Sequence, residues 1–215
     1  MHAWLFALLV LTMQVSAPLH TPQLLQVYRE PLRSGSEAAY SQIEEDTARK
    51  AAALGCPHPY LGAETLTGSK EAWWFNGYQS EAEQRQVADD YAKNAPLLTA
   101  LQQNSQRKAS LTLKPIEVLA RYRKDLSAGQ PWILGQGRFL IVTVTRNGHL
   151  PAGTVFETPD GTRFSVTSAQ NLEQATALKA QAGPQTQVLA VRPSWSFPAS
   201  EWITMDSAFW RPAQP

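Results

Sequence analysis

The stretch from about Gln23 to Arg123 constrains this chain most: it follows the order strand, long helix, strand, helix, strand, with aromatic residues set into the strands. Leu24-Leu25-Gln26-Val27-Tyr28-Arg29 is predicted as the first strand, stopped near Pro31, which cannot donate to a ladder. Tyr40, Ile43, Thr47, Ala51 and Leu54 recur at helical steps behind Ser34 and Glu37, which stand at capping-box spacing. Gly55 is placed to end that helix in a left-handed cap. Pro57 and Pro59 remove donors and fix the backbone, so residues 56–69 are expected as a turn and loop. Glu71–Tyr78, with Trp73-Trp74-Phe75 inside it, is predicted as the second strand. Ser80 and Glu83 repeat the capping spacing ahead of Val87 and Tyr91. Pro96 begins a further helical turn with Leu97, Leu98 and Leu101, and Ile116–Tyr122 is predicted as the third strand.

The pattern changes after Ala128-Gly129-Gln130-Pro131, which breaks periodicity and marks a boundary. Beyond it the chain is β-rich. Phe139 to Val144 is a strong strand, and the segments around Val155-Phe156 and Arg163-Phe164 flank Pro159-Asp160-Gly161 as a hairpin. Asn171 is placed to cap a short helix stopped by Gly183-Pro184, and Gln187 to Val191 is the last strand. A tail studded with Trp195, Phe197, Trp202, Phe209 and Trp210 is expected to clamp onto the body by burying area.

At 215 residues there is room for one large domain or two small ones. Nineteen basic against 18 acidic residues leave a net charge of +1 and no basic stripe, which argues against nucleic acid as a partner. Residues 1–17 combine an apolar core with a small-residue pair, Val15 and Ala17, and are expected to be a secretory signal peptide. Their apolar run is too short for the ~20 residues that span a bilayer, so export to the periplasm or medium is expected rather than a stable membrane anchor. A single cysteine, Cys56, excludes an internal disulfide, and a buried, inert thiol is the expectation for it.

The run from Gln26-Val27-Tyr28-Arg29 through Trp73-Trp74-Phe75-Asn76 to Val118-Leu119-Ala120-Arg121-Tyr122 resembles the dimeric α/β-barrel superfamily, which includes antibiotic-biosynthesis-monooxygenase-like and NIPSNAP-like domains. The resemblance rests on element order and strand aromatics. It implies a ferredoxin-like sheet over residues 18–126 with helices on one face, two such sheets pairing around a ligand pocket. The β-rich residues 132–215 make an α+β chain of the whole, and the pairing is then either a homodimer or an internal pseudo-dimer. Members include cofactor-free oxygenases and haem-binding proteins, but no catalytic set of theirs maps onto this sequence.

Strand alternation puts Gln26 and Tyr28 on one face, opposite Leu25, Val27 and Arg29; Trp73 and Phe75 oppose Trp74 and Asn76, and Arg121 and Arg123 oppose Ala120 and Tyr122. One face must meet the helices, so the other carries rings and polar tips that either fill a sheet-to-sheet core or line a cavity. Tyr28, Trp73, Asn76 and Tyr122 are the candidate ligand contacts, with Arg29 or Arg121 able to pair an acidic group. His58 and Glu71 are the candidate titratable groups. Cys56 and His58 lack further metal ligands nearby, no G-x-S-x-G elbow occurs, and Gly135-Gln136-Gly137 precedes a strand instead of following one. No metal and no cofactor is therefore expected. A binding module for a small, partly aromatic or apolar molecule leads; a cofactor-independent oxygenase-like enzyme and a structural protein without a ligand are the alternatives.

Overall fold

A computed structural model describes residues 20–211; the expected signal segment 1–17 lies outside them. In chain order the elements are β1 (Leu24–Pro31), α1 (Glu37–Ala53), β2 (Leu61–Thr65), β3 (Glu71–Tyr78), α2 (Glu81–Lys93), α3 (Ala95–Lys108) and β4 (Ile116–Tyr122). They continue with β5 (Phe139–Thr145), β6 (Thr154–Glu157), β7 (Arg163–Ala169), α4 (Leu172–Ala182), β8 (Thr186–Val191), a 3-10 turn at Pro193–Trp195, α5 (Ser200–Met205) and α6 (Ser207–Trp210). All eight strands pair antiparallel and close into one barrel in the order β1-β3-β2-β8-β5-β7-β6-β4. Two seams join the halves. One pairs Ala63 with Val191, and the other pairs Tyr122 with Phe156.

Several ends follow local chemistry. Ser80 accepts from the Glu83 amide and Asn171 from the Gln174 amide, which satisfies donors that a helix start leaves free. The Asp160 carboxylate accepts from Thr158 and from the Thr162 amide, and Gly161 takes a φ of +80°, completing the expected hairpin. Other expectations are corrected. The loop over residues 56–69 contains β2, whose Leu-Gly-Ala-Glu-Thr carries little strand preference but is paired on both edges, by β3 and β8. The Ser34 box does not form: Ser36 precedes α1, and its hydroxyl donates to the Arg33 and Leu111 carbonyls instead of capping the helix. The turn at Pro96 is a full helix, α3, because it docks along α1 through Asn104 to Thr47 and Arg107 to Asp46.

The barrel lumen is solid. Leu25, Val27, Leu61, Trp73, Phe75, Ala120, Leu140, Val142, Phe156, Phe164, Val166 and Leu189 form one buried cluster, as an eight-stranded barrel is just wide enough for its own side chains. Trp132, Trp202 and Trp210 extend the same core, so the tail aromatics are buried against the barrel. Trp195 instead lies on the outer face, against Trp74 and Tyr40, and a side chain at Gly62 would strike its Cβ at 2.9 Å.

Candidate functional site

The helix-covered face of the first four strands holds a cavity of about 440 Å³. Alternation along β1 and β3 delivers Gln26, Tyr28, Trp74, Asn76 and Tyr78 to its floor. Its roof comes from α1, α2 and α3. Glu44, Thr47 and Ala51 recur at helical spacing on the inner side of α1, Val87 and Tyr91 on α2, and Leu101 and Lys108 on α3. Tyr60 and Cys56 close the side where the chain leaves α1, and Glu117 of β4 stands at the exposed rim.

One end is charged. The Lys108 ammonium donates to Glu30 at 2.7 Å and to Glu44 at 2.6 Å, while lying 4.9 Å from the Trp74 ring centre and 5.5 Å from that of Tyr40. The Tyr40 hydroxyl also donates to Glu30, as does that of Tyr28 at 3.3 Å. Two carboxylates thus share one ammonium, in a place where Glu44 is 3 % exposed. Burial raises the proton affinity of Glu44, and Lys108 offsets only part of that. Burial pulls the Lys108 ammonium the other way, but Glu44 and Glu30 outweigh it and hold the group above its ordinary value. Burial, followed by the same carboxylates, raises the Tyr40 and Tyr28 hydroxyls, so both stay protonated.

The other end is neutral and hydrogen-bonded. Tyr78 donates to the Gln26 side-chain oxygen at 2.9 Å, and the Gln26 amide donates to Glu117 at 2.5 Å. Burial pushes the Tyr78 hydroxyl up to about 12. The Cys56 thiol donates to the His58 carbonyl at 3.4 Å and lies 3.1 Å from the Tyr91 hydroxyl; burial raises it, against the hydrogen bond from Tyr91, and it is not a thiolate.

The six residues singled out in the sequence are divided among four places. Tyr28 and Asn76 line the cavity. Trp73 and Arg29 face the lumen, where both Arg29 and the Trp73 indole donate to Glu71, with the guanidinium 4.2 Å from the Trp73 ring centre. Tyr122 packs on Phe156 at a seam, and Arg121 is an exposed partner of Glu81. Of the titratable pair, Glu71 is the lumen acid. His58 stacks on the Tyr78 ring at 4.7 Å and donates from Nε2 to the Gly77 carbonyl at 3.0 Å, outside the cavity. Sequence reasoning passed over Trp74, Glu44 and Lys108. Glu44 carried a signal, being four residues after Tyr40 within the buried stripe of α1. Among the described residues no group of three or more His, Cys, Asp or Glu is placed to hold a metal ion, and no helix is long and apolar enough to cross a membrane.

No protein-family model matches the sequence, and comparison with curated proteins likewise finds no match. Among solved structures, a Fusobacterium nucleatum protein proposed to be a monooxygenase superposes with a TM-score of 0.51 at 12 % identity, over 80 % of this chain and 94 % of its own. The chain shares that protein's fold, an α+β closed antiparallel barrel of the ferredoxin-like kind. A Lactobacillus acidophilus protein also proposed to be a monooxygenase gives 0.45 at 6 % identity over 80 % and 94 % of the two chains. An uncharacterised NIPSNAP-like domain protein of Burkholderia xenovorans gives 0.39 at 14 % identity over 53 % and 96 %. The Fusobacterium likeness shows the fold alone and leaves activity to the site.

Proposed function

We propose that this chain binds one small, apolar or partly aromatic molecule per barrel, in the cavity between the first sheet and its helices. The observation that carries the reading is the contrast between the two faces of that sheet. The lumen face is filled, whereas the helix face leaves about 440 Å³ bordered by five aromatic rings and a few polar groups. Ligand sites occupy about 300–1,000 Å³ and have this mixture of walls.

The reading includes an internal pairing. The first half runs β4-β1-β3-β2 and the second β8-β5-β7-β6, so the two orders correspond strand for strand. In the second half α4 stands where α2 and α3 stand in the first, and residues 146–153 replace α1. This supports a pseudo-dimer within one chain, and export through residues 1–17 is part of the proposal.

A second reading, an oxygenase-like enzyme without a cofactor, is favoured by Glu44: a buried carboxyl of raised proton affinity facing the cavity is suited to proton transfer at a bound aromatic substrate. The Fusobacterium neighbour is itself proposed to be a monooxygenase. Oxygen uptake on adding a bound aromatic compound separates this reading from simple binding.

The binding test is a titration with the neutral dye N-phenyl-1-naphthylamine. Saturable enhancement is expected, lost in Ala88→Trp, which fills the rim from an exposed position, and weakened in Trp74→Ala. Trp73→Phe, in the lumen, is expected to leave it unchanged. Full dye binding by Ala88→Trp and Trp74→Ala refutes the cavity as the site.

A further inference from the structure

We infer that the cavity selects an organic cation: an amine carried on an aromatic or apolar body. This rests on the cavity reading above and deepens it.

The argument begins with the chain's own lysine. Trp74 and Tyr40 lie with ring centres 6.2 Å apart and planes at 60°, forming a corner of two π-faces. The Lys108 ammonium sits in that corner against two carboxylates, an arrangement in which ring quadrupole and anion act on the same charge. Trp74 makes a second corner with Tyr28, at 6.0 Å and 59°, and this one opens onto the cavity. The second corner has an anion too, because Glu117 of β4 is paired in register with Tyr28 of β1. Gln26 holds that carboxylate by one oxygen and is itself held by Tyr78, so the acceptor is oriented before any ligand arrives.

The charge inventory points the same way. Among the described residues around the cavity, Lys108 is the one cation, against Glu44 and Glu117, and Glu30 takes a further share of it. An anionic ligand meets two carboxylates and an ammonium already engaged twice. A neutral one gains ring contact alone. An ammonium gains the corner of Tyr28 and Trp74 together with the Glu117 oxygen that Gln26 does not occupy.

The test displaces N-phenyl-1-naphthylamine with three probes sharing one phenylethyl body: 2-phenylethylamine, 2-phenylethanol and 3-phenylpropionate. The amine is expected to compete about tenfold better than the alcohol, with the carboxylate weakest. Glu117→Gln, an exposed rim change, is expected to weaken the amine about threefold and leave the alcohol unaffected. Equal competition by amine and alcohol, stronger competition by the carboxylate, or no displacement by the amine overturns cation selectivity while dye binding keeps the cavity reading standing. Failure of the dye itself to bind overturns both.

Discussion

Lys108→Met removes the single ammonium that Glu30 and Glu44 share and is the sharpest probe of the charged end. The side chains involved are 13 %, 5 % and 3 % exposed, so water cannot replace the missing cation at either carboxylate. Methionine matches the aliphatic stem, and the apolar contact with Trp74 and Tyr40 is largely kept. What is lost is the partner of buried charge, and breaking such a pair from one side costs about 3–5 kcal/mol. For a chain of this size that corresponds to a fall of roughly 6–20 °C in Tm. The sign with pH follows from the same picture. Without Lys108, Glu44, already raised by burial, binds its proton still more tightly in the folded than in the unfolded chain, so the deficit is full above its folded pKa. It shrinks as pH falls toward about 4, the unfolded value. Urea unfolding followed by circular dichroism at pH 7.5 and pH 5 measures both effects. Combining Lys108→Met with Glu30→Gln and Glu44→Gln is expected to recover most of the loss. A single-variant loss below about 1 kcal/mol at pH 7.5, or one that does not change with pH, refutes the account of two buried carboxylates held by one cation.

Two further changes test other parts of the molecule. Gly135→Ala puts a methyl group into the Trp202 indole at a φ of +87°, and is expected to cost more than about 2 kcal/mol, with tail-specific protease sensitivity as the readout. His58 is held below its ordinary pKa by burial, against the Gly77 carbonyl, so the folded chain binds its proton less well than the unfolded one. The stability this contributes is present above about 6.5 and is lost as pH falls below it; His58→Asn should flatten the unfolding profile in that window, and an unchanged profile counts against the assignment.

Local chemistry made much of the fold legible. Glu71–Tyr78 and Ile116–Tyr122 begin and end where aromatic and β-branched residues give way to turn formers, and Ser80 and Asn171 cap the helices they precede. β2 was hidden because its own residues carry little strand preference and, although β3 pairs with it as a local hairpin, its other edge is completed by Leu189 to Val191 from the far half of the chain. Alternation separated Trp73 from Trp74 but could not say which face is hollow. That depends on how far α1, α2 and α3 stand from the strands. The charged end was invisible for a related reason: Lys108 and Glu44 are 64 residues apart, and a buried lysine has no signature until its acids are placed beside it.

A ring of strands completed within one polypeptide has no mirror obligation. In an assembly of identical subunits every substitution is made twice, so a change that hollows one sheet hollows its twin. Here β1 can be altered while β5 stays as it was, so a substitution made on one side of the ring leaves the opposite strands with their own sequence.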